Sequence, residues 1–263
     1  MVVIIGGGIS GLATAYQLEK KGIPYLLLEA SNRLGGLVST HKTPEGYQYE
    51  GAPNTLLADE AAFELIEELG LTKEVVYPNA VSENRYVFKA GRLRQLPDKP
   101  LRLLTSSFFS LKTKIKVLKE LKLKPVTPDP NETLAAFGRR HFGSEVVDYA
   151  LAPFVLGIYG CTPHELLTRL TFPQLQTWEA EYGSIIKAMK ATAGNTARKK
   201  SINFNGGLQT LTQTLASKLT HTECNAKVTE IQPIGSDGGW QITFNQDNTS
   251  QTIEADAIVF ASG

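Results

Sequence analysis

Two hydrophobic rhythms alternate along this chain. Compact β-branched or leucine runs, of the kind that form strands buried on both faces, stand at Met1–Ile5, Tyr25–Leu28 and Ala257–Ala261. Helical spacing of apolar residues marks Leu12–Lys21, then Asp59–Gly70 with Phe63, Leu65, Ile66 and Leu69, and later Leu208, Leu211, Leu215 and Leu219. Alternation predicts a hairpin of Val38–Lys42 with Gly46–Glu50, and another over Tyr86–Pro97 turning at Ala90–Gly91. It also predicts a meander of Ala226–Ile231, Trp240–Phe244 and Gln251–Glu254. In the middle third, Pro125–Pro130 reads as a linker. Asn131 or Thr133 caps a helix to about His141, and Ser144 caps another through Val155. Pro173 and Gly183 punctuate further helices to about Ala193, and Asn195–Lys200 reads as loop. The pattern predicts an α/β fold in which residues 1–96 and 201–263 form one domain and 97–200 a mainly helical insertion. No internal repeat or low-complexity segment is visible.

The first junction carries chemistry. Strand Met1–Ile5 runs into Gly6-Gly7-Gly8-Ile9-Ser10-Gly11, a helix follows, and the second strand ends at Glu29, 18 residues after Gly11. Strand, G-x-G-x-x-G, helix, strand and acid in this order form the dinucleotide-binding βαβ fingerprint. Gly6 serves the tight turn, Gly8 lets a pyrophosphate approach the backbone, and Gly11 lets helix and strand pack closely. The helix N-terminus faces the phosphates with its unpaired N–H groups and partial positive charge. Glu29 is placed for a ribose hydroxyl and would repel a 2′-phosphate, which disfavours NADP. A bare glycine turn before a helix is the bland alternative, and the flanking elements argue against it.

After Glu29, Ala30-Ser31-Asn32-Arg33-Leu34-Gly35-Gly36 completes an E-x-x-x-R-x-G-G pattern. Arg33 and the glycine N–H groups offer a second phosphate clamp that a simple NAD enzyme does not need. The pattern resembles that of a flavoprotein superfamily, and the resemblance implies FAD as the cofactor. The expected contacts here are Gly6, Gly7, Gly8, Ile9, Ser10, Gly11, Glu29, Ala30, Arg33, Gly35, Gly36 and Leu37.

Composition narrows the class. With 263 residues, 42% hydrophobic, the chain has ample core for one or two soluble domains. A net charge of +1 argues against a general nucleic-acid partner. Cys161 and Cys224 make no C-x-x-C or metal spacing and read as incidental thiols in a reducing compartment. No metal site is expected. His41, His141, His164 and His221 are scattered and read as surface or satisfied core residues. No signal segment is expected, because the first strand starts at Val2, and no run reaches the ~18 apolar residues of a spanning helix. Charge is nonetheless uneven: residues 101–124 carry +6, from Arg102 and Lys112, Lys114, Lys116, Lys119, Lys122 and Lys124 against Glu120. With Leu103, Leu104, Phe108, Phe109, Leu111, Ile115, Leu118 and Leu121 interleaved, this reads as a basic amphipathic helix for an anionic membrane surface, or as a helix with its apolar face inside the protein.

The Glu29–Gly36 pattern resembles the flavoprotein superfamily of amine oxidases, carotenoid desaturases and protoporphyrinogen oxidases, which implies a Rossmann-like FAD-binding domain of the GR2 type. Phe137–Val146, Ala152–Tyr159, Phe172–Leu175 and Glu181–Ile186 resemble the protoporphyrinogen oxidase family, including its coproporphyrinogen-oxidising bacterial form. Gly160-Cys161-Thr162-Pro163 departs from the family's glycine-aspartate-proline turn, and Ala52 from its glycine. The resemblance implies hydride transfer from a porphyrinogen to FAD, with oxygen reoxidising the flavin in haem biosynthesis. It implies that Ala52, Pro53, Asn54 and Thr55 run beside the flavin, Val228 contacts the adenine, and Asn54 and Arg102 lie near the substrate, Arg102 meeting a propionate. No catalytic side chain is expected, because the flavin carries the chemistry. The resemblance also implies a cytoplasmic protein peripheral to the inner face of the cell membrane, touching it through 101–124, and it leaves a homodimer open. Family chains continue further, so this sequence is expected to be an N-terminal portion lacking the C-terminal half. The other readings are a different amine- or carotenoid-oxidising flavoenzyme, and a non-catalytic nucleotide-binding remnant.

Overall fold

The computed structural model describes residues 1–97, 100–193, 199–235, 238–247 and 249–262. Its contacts divide the chain into two units, Met1–Pro78 with Arg198–Gly263, and Asn79–Ala197. The first unit opens with β1 (Val2–Ile5), α1 (Ile9–Lys20) and β2 (Tyr25–Leu28), with β1 and β2 parallel and Ile5 opposite Leu28. β3 (Ser39–Lys42) and β4 (Gln48–Ala52) form the expected antiparallel hairpin. β5 (Leu56–Ala58) leads into α2 (Glu60–Glu68), whose cap Asp59 accepts the Ala62 N–H at 3.1 Å. β6 (Val75–Val76) closes this N-terminal part.

The second unit begins with the hairpin β7 (Tyr86–Lys89) and β8 (Arg92–Gln95). Ala90 and Gly91 both have positive φ, as a two-residue turn of the right twist requires. The helices are α3 (Pro100–Thr105), α4 (Leu111–Glu120), α5 (Leu134–Phe142), α6 (Ser144–Val146), α7 (Ala152–Tyr159), α8 (Thr168–Thr171), α9 (Pro173–Tyr182) and α10 (Ile185–Thr192).

Three expectations need correction in this unit. The unit starts at Asn79 rather than 97, because the hairpin belongs with the helices. The Lys89 ammonium donates to Glu145 at 2.5 Å and to the Phe108 carbonyl at 2.6 Å, and it lies 4.4 Å from the Tyr149 ring centre. Residues 101–124 form two helices, not one: Phe108 and Phe109 bury themselves, and Ser110 starts α4 afresh by accepting the Thr113 N–H. Ser144 is not a cap. Gly143 holds the cap position, and the helical path from Ser144 to Tyr159 contains a five-residue π turn, Val147–Leu151.

The chain returns to the first unit through β9 (Lys200–Phe204), which was expected to begin as loop. Residues 194–198 of that expected loop lie outside the described residues. Ile202 and Phe204 are buried, and β9 pairs antiparallel with both β5 and β6. α11 (Gln209–Ala216), β10 (Thr222–Glu223), the meander β11 (Lys227–Pro233), β12 (Trp240–Gln246) and β13 (Thr249–Ala255), and finally β14 (Ala257–Phe260) follow. The parallel sheet has the order β10-β2-β1-β14. Its side chains alternate between two cores. Ile4 and Leu27 pack with Leu12, Leu211 and Leu215 on the helical side, while Val3, Ile5 and Leu28 pack with Ala226, Ile242, Phe244 and Ala255 of the meander.

A buried polar cluster joins α4, α5, α9 and α10. His141, fully buried, has Glu120 Oε1 at 3.2 Å from Nδ1 and Glu179 Oε1 at 3.0 Å from Nε2. Glu120 also accepts from Ser184 Oγ (2.7 Å) and the Ile185 N–H (2.5 Å), and Arg140 ties Glu179 to Glu132. Burial opposes ionisation of Glu120 and Glu179. Hydrogen bonds from His141, Ser184 and Ile185 to Glu120, and from Arg140 and His141 to Glu179, outweigh it and hold both carboxyls below the usual range. Breaking such a buried set costs about 3–5 kcal/mol, because it strands the partner charge. Glu120→Ala is therefore expected to lower unfolding free energy by that amount near neutral pH, measured by urea denaturation. A depressed carboxyl contributes stability above its unfolded pKa, about 4.3, and loses it as pH falls through the lower folded value. The gap between wild type and Glu120→Ala should accordingly narrow on acidification; a pH-independent gap would contradict the charged cluster.

Candidate cofactor site

The parallel sheet creates the site. From β1 the chain goes to β2 on one side, while β14 joins the other, so the strand order switches direction at β1. A crevice outside the carboxyl ends of strands at such a switch point is where open α/β sheets bind ligands. A cleft of about 910 Å³ lies there, lined by Ile5, Leu28, Phe260, Ala261 and Ser262 from the strand ends.

The glycine turn shapes one wall. A Cβ at Gly11 would lie 1.9 Å from the Gly6 carbonyl oxygen, so helix and turn touch as expected. Around Gly8, by contrast, a Cβ would meet nothing within 4 Å. Gly8 caps α1, no side chain caps that terminus, and the first turn carries no acid. Its leading N–H groups are thus left for an external acceptor. The second glycine pair docks on the first loop: the Gly35 N–H donates to the Gly7 carbonyl at 2.8 Å, and Gly36, with φ +57°, lies so near that its Cβ would come 2.9 Å from Gly8 Cα.

Glu29 lines the cleft and is held by two backbone donors, Gly7 N–H at 2.6 Å and Ser31 N–H at 2.8 Å. Burial pushes its carboxyl up, but the hydrogen bonds from Ser31 and Gly7, with Arg33 nearby, prevail and lower it. The carboxylate keeps lone pairs for hydroxyl groups. These features fit the dinucleotide end of FAD: an uncapped helix terminus and open glycine face for phosphates, and an ionised acid for a ribose.

Of the expected contacts, Gly6, Gly8, Ile9, Ser10, Glu29, Ala30, Gly35, Gly36, Leu37, Pro53 and Val228 line this cleft. Gly7, Gly11, Arg33, Ala52, Asn54 and Thr55 are not among its lining residues. Gly7 and Gly11 act from behind, through the contacts above. Arg33 spends its guanidinium on its own loop, donating to the Gly36 carbonyl at 2.7 Å and to Val38 at 3.2 Å, so it shapes the clamp. The Asn54 carbonyl accepts from Asn203 Nδ2 at 3.2 Å. Arg102 is exposed on α3 of the helical unit and does not line this cleft.

Sequence reading missed Ile5, Leu28, Val38, Ala226, Lys227, Thr229, Glu230, Ile231 and the tail Phe260–Ser262 in the lining. The bulge that presents β11 leaves no sequence signal. Val228 pairs with Phe244 and Glu230 with Thr243, which leaves Thr229 unpaired in the ladder and turns the strand toward the cleft. Also missed was the tie between distant segments. Glu50 accepts from Thr40 Oγ1 (2.7 Å), Asn203 Nδ2 (3.1 Å) and the Leu208 N–H (3.1 Å), while the Thr40 N–H donates to Gln209 at 3.0 Å.

A Rossmann-type sheet with this cleft defines a dinucleotide-binding protein of the flavoprotein kind. Comparison with known proteins agrees. The profile of the flavin-containing amine oxidoreductase family matches residues 9–263, and the chain belongs to that family. It is similar to the mitochondrial protoporphyrinogen oxidase of Nicotiana tabacum, at 33% identity over 88% of this chain and 50% of the relative. It is likewise similar to the coproporphyrinogen III oxidase of Bacillus subtilis (strain 168), at 32% identity over 98% of this chain and 58% of the relative. Among solved structures, an Exiguobacterium sp. 255-15 protein provisionally assigned as a protoporphyrinogen oxidase shares the fold, with TM-score 0.77 and 24% identity over 99% of this chain and 59% of its own. A putrescine oxidase shares it at TM-score 0.62 and 18% identity, covering 99% and 57%. The chain thus spans between half and three fifths of the length of these relatives. Among the described residues, no helix is long and apolar enough to cross a membrane, and no group of three acid, histidine or cysteine side chains is placed to hold a metal.

The two loop glycines separate fold from binding. Gly11→Ala is expected to destabilise by at least the usual overpacking cost of about 1–3 kcal/mol, since the Gly6 carbonyl must move. Gly8→Ala should change stability by less than about 1 kcal/mol, because φ −70° suits any residue and the added methyl meets nothing. It should still weaken nucleotide retention by narrowing the phosphate approach. Thermal unfolding alongside flavin retention after gel filtration reads both effects; equal behaviour of the two variants would refute the assignment.

Proposed function

We propose that this protein holds FAD in the cleft at the ends of β1, β2 and β14 and serves the oxidation of a porphyrinogen, protoporphyrinogen IX or coproporphyrinogen III, in haem biosynthesis. The observation that carries the reading is the cleft itself, with Glu29 ionised beside an uncapped α1 terminus, in a chain whose relatives at about a third identity are named for porphyrinogen oxidation. When bound, the flavin would supply acceptance of hydride, and oxygen would take the electrons onward.

The chain's own residues bind and orient. The first N–H groups of α1 receive phosphate oxygens, Glu29 accepts from ribose hydroxyls, and Val228 on the β11 bulge borders the adenine end. Leu37 and Pro53 would add apolar wall beside the bound cofactor. Asn54 and Arg102 are proposed to stand near the substrate, Arg102 as a cation for a propionate carboxylate. Contact with the inner face of the cell membrane is proposed through α4, where Leu111, Ile115 and Leu118 are exposed between lysines.

The test is the visible spectrum of the purified 263-residue chain after incubation with FAD and desalting. A retained flavin band that Glu29→Ala weakens is the expected result, followed by a fluorescence assay for porphyrin formation from both porphyrinogens. A folded, colourless protein would reject FAD binding by this chain. Flavin retention without turnover of either porphyrinogen, with reduction by an amine instead, would favour a different oxidase of the same family.

A further inference from the structure

The helical unit carries a second concavity of about 790 Å³, along α4 and the corner where α5 gives way to α6. Lys112, Lys116 and Lys119 line it from α4, and steps of four and three residues set them on one helical face. Arg139, in the last turn of α5, lines it as well. Among the described residues, none of these four cations has an ion-pair partner. The Arg139 guanidinium stands 3.1 Å from the ring nitrogen of His164.

The one acid in the lining does not neutralise them. Glu145 is already engaged by Lys89 at 2.5 Å, by Ser110 through its N–H at 2.9 Å and its hydroxyl at 2.7 Å, and by Thr113 Oγ1 at 2.5 Å. Burial opposes its ionisation, yet these partners, led by Lys89, bring its carboxyl down to about 2. The acid is thereby internal to the fold, and the groove keeps a net positive field. Lysines at i and i+4 repel one another when nothing lies between them, so their convergence on one concavity calls for an anion. The exposed side chains of Leu111 and Ile115 line the same groove and offer apolar contact beside the charges.

We propose that this groove binds a phosphate group, with Lys112, Lys116 and Lys119 as point charges and Arg139 as the forked donor. A phosphate carries more charge than a carboxylate and presents three oxygens, which matches several cations arriving from different directions. The site lies wholly within Asn79–Ala197 and is independent of the flavin reading. The same chemistry is found in soluble polyphosphates and in the headgroups of anionic lipids, and the experiment separates the two.

The full chain is titrated with inorganic pyrophosphate by calorimetry. In parallel it is co-sedimented with phosphatidylcholine vesicles containing or lacking phosphatidic acid. Each measurement is repeated on K112Q/K116Q/K119Q, on R139Q, and on K114Q/K122Q/K124Q, which removes the same charge from lysines outside the groove lining. The proposal expects the groove triple to lose affinity by roughly tenfold or more, R139Q to lose part of it, and the control triple to retain it. Pyrophosphate binding lost in this way assigns a soluble phosphate; binding only to phosphatidic acid vesicles, lost in the same way, assigns a lipid headgroup. Equal losses in the two triples would mean diffuse surface charge and overturn the site, as would no binding to either probe. Far-UV circular dichroism confirms that each variant keeps its helices.

Discussion

The Gly6 carbonyl oxygen lies where a side chain at residue 11 would begin, 1.9 Å from the position of its Cβ. That approach lets β1 pass into α1 with almost no connecting loop, and it points the helix terminus across the strand ends. Everything in the cofactor site is referred to this corner. The Gly35–Gly36 turn stacks on it, Glu29 bonds to its Gly7 N–H, and the tail of β14 runs past it, with the Ala261 N–H donating to Ile5. A side chain at residue 11 would have to push the carbonyl, and with it the Gly6–Gly8 wall of the cleft. Stability and binding are therefore coupled at Gly11 and uncoupled at Gly8.

The same unit is assembled from the two ends of the chain. β1 pairs with β14, Met1 meets Asp256, and Glu50 and Thr40 bond to Asn203, Leu208 and Gln209. These contacts span from about 150 to more than 250 residues in sequence. Closing so long a loop costs only slowly more entropy as it lengthens, which is why a helical unit can be carried between the halves. The cost is kinetic, since contacts of high sequence separation form late. The hydrogen-bond set around Glu50 answers this. A carboxylate that collects a hydroxyl, an amide and a backbone N–H from both segments fixes their register more firmly than apolar packing alone, because each lost partner leaves a half-buried polar atom unmatched.

What the sequence revealed follows from how local each determinant is. The βαβ unit was legible because its turn, helix and acid lie within one short window and each residue type has a single physical reason to be there. So were the Ala90–Gly91 hairpin and the Pro173 and Thr133 helix starts, which rest on neighbouring residues. Determinants set by partners far along the chain were not. The strand β9 was not foreseen, because Ser201 and Asn203 alternate with its two buried residues after a stretch read as loop to Lys200, and only pairing with β5 and β6 makes it a strand. Residues 101–124 keep one helical rhythm in sequence, yet burial of Phe108 and Phe109 ends the first helix and Ser110 restarts the second. The bulge at Thr229 depends on the register of β12 and has no local mark. Arg33 was read as a phosphate ligand from its type, and its bonds to the Gly36 and Val38 carbonyl groups, which shape the loop, had no mark in the sequence.

The distribution of charge shows why a chain of near-zero net charge can carry a basic face. In the helical unit four carboxylates are drawn inward, Glu120 and Glu179 on either side of His141, Glu179 and Glu132 on Arg140, and Glu145 on Lys89, while Asp129, Asp148, Glu165 and Glu181 stay exposed. Glu120, Glu145 and Glu179 are each held by several donors, which is the condition under which a buried carboxylate stays ionised rather than taking up a proton. Glu120 is the one acid in the lysine-rich run, and its side chain is turned away from the lysines into that core. The basic helix thus loses its only local counter-charge to folding. Its positive field owes to tertiary structure as well as to composition, because burial of Glu120 makes the exposed face of α4 more basic than the +6 of the segment alone suggests.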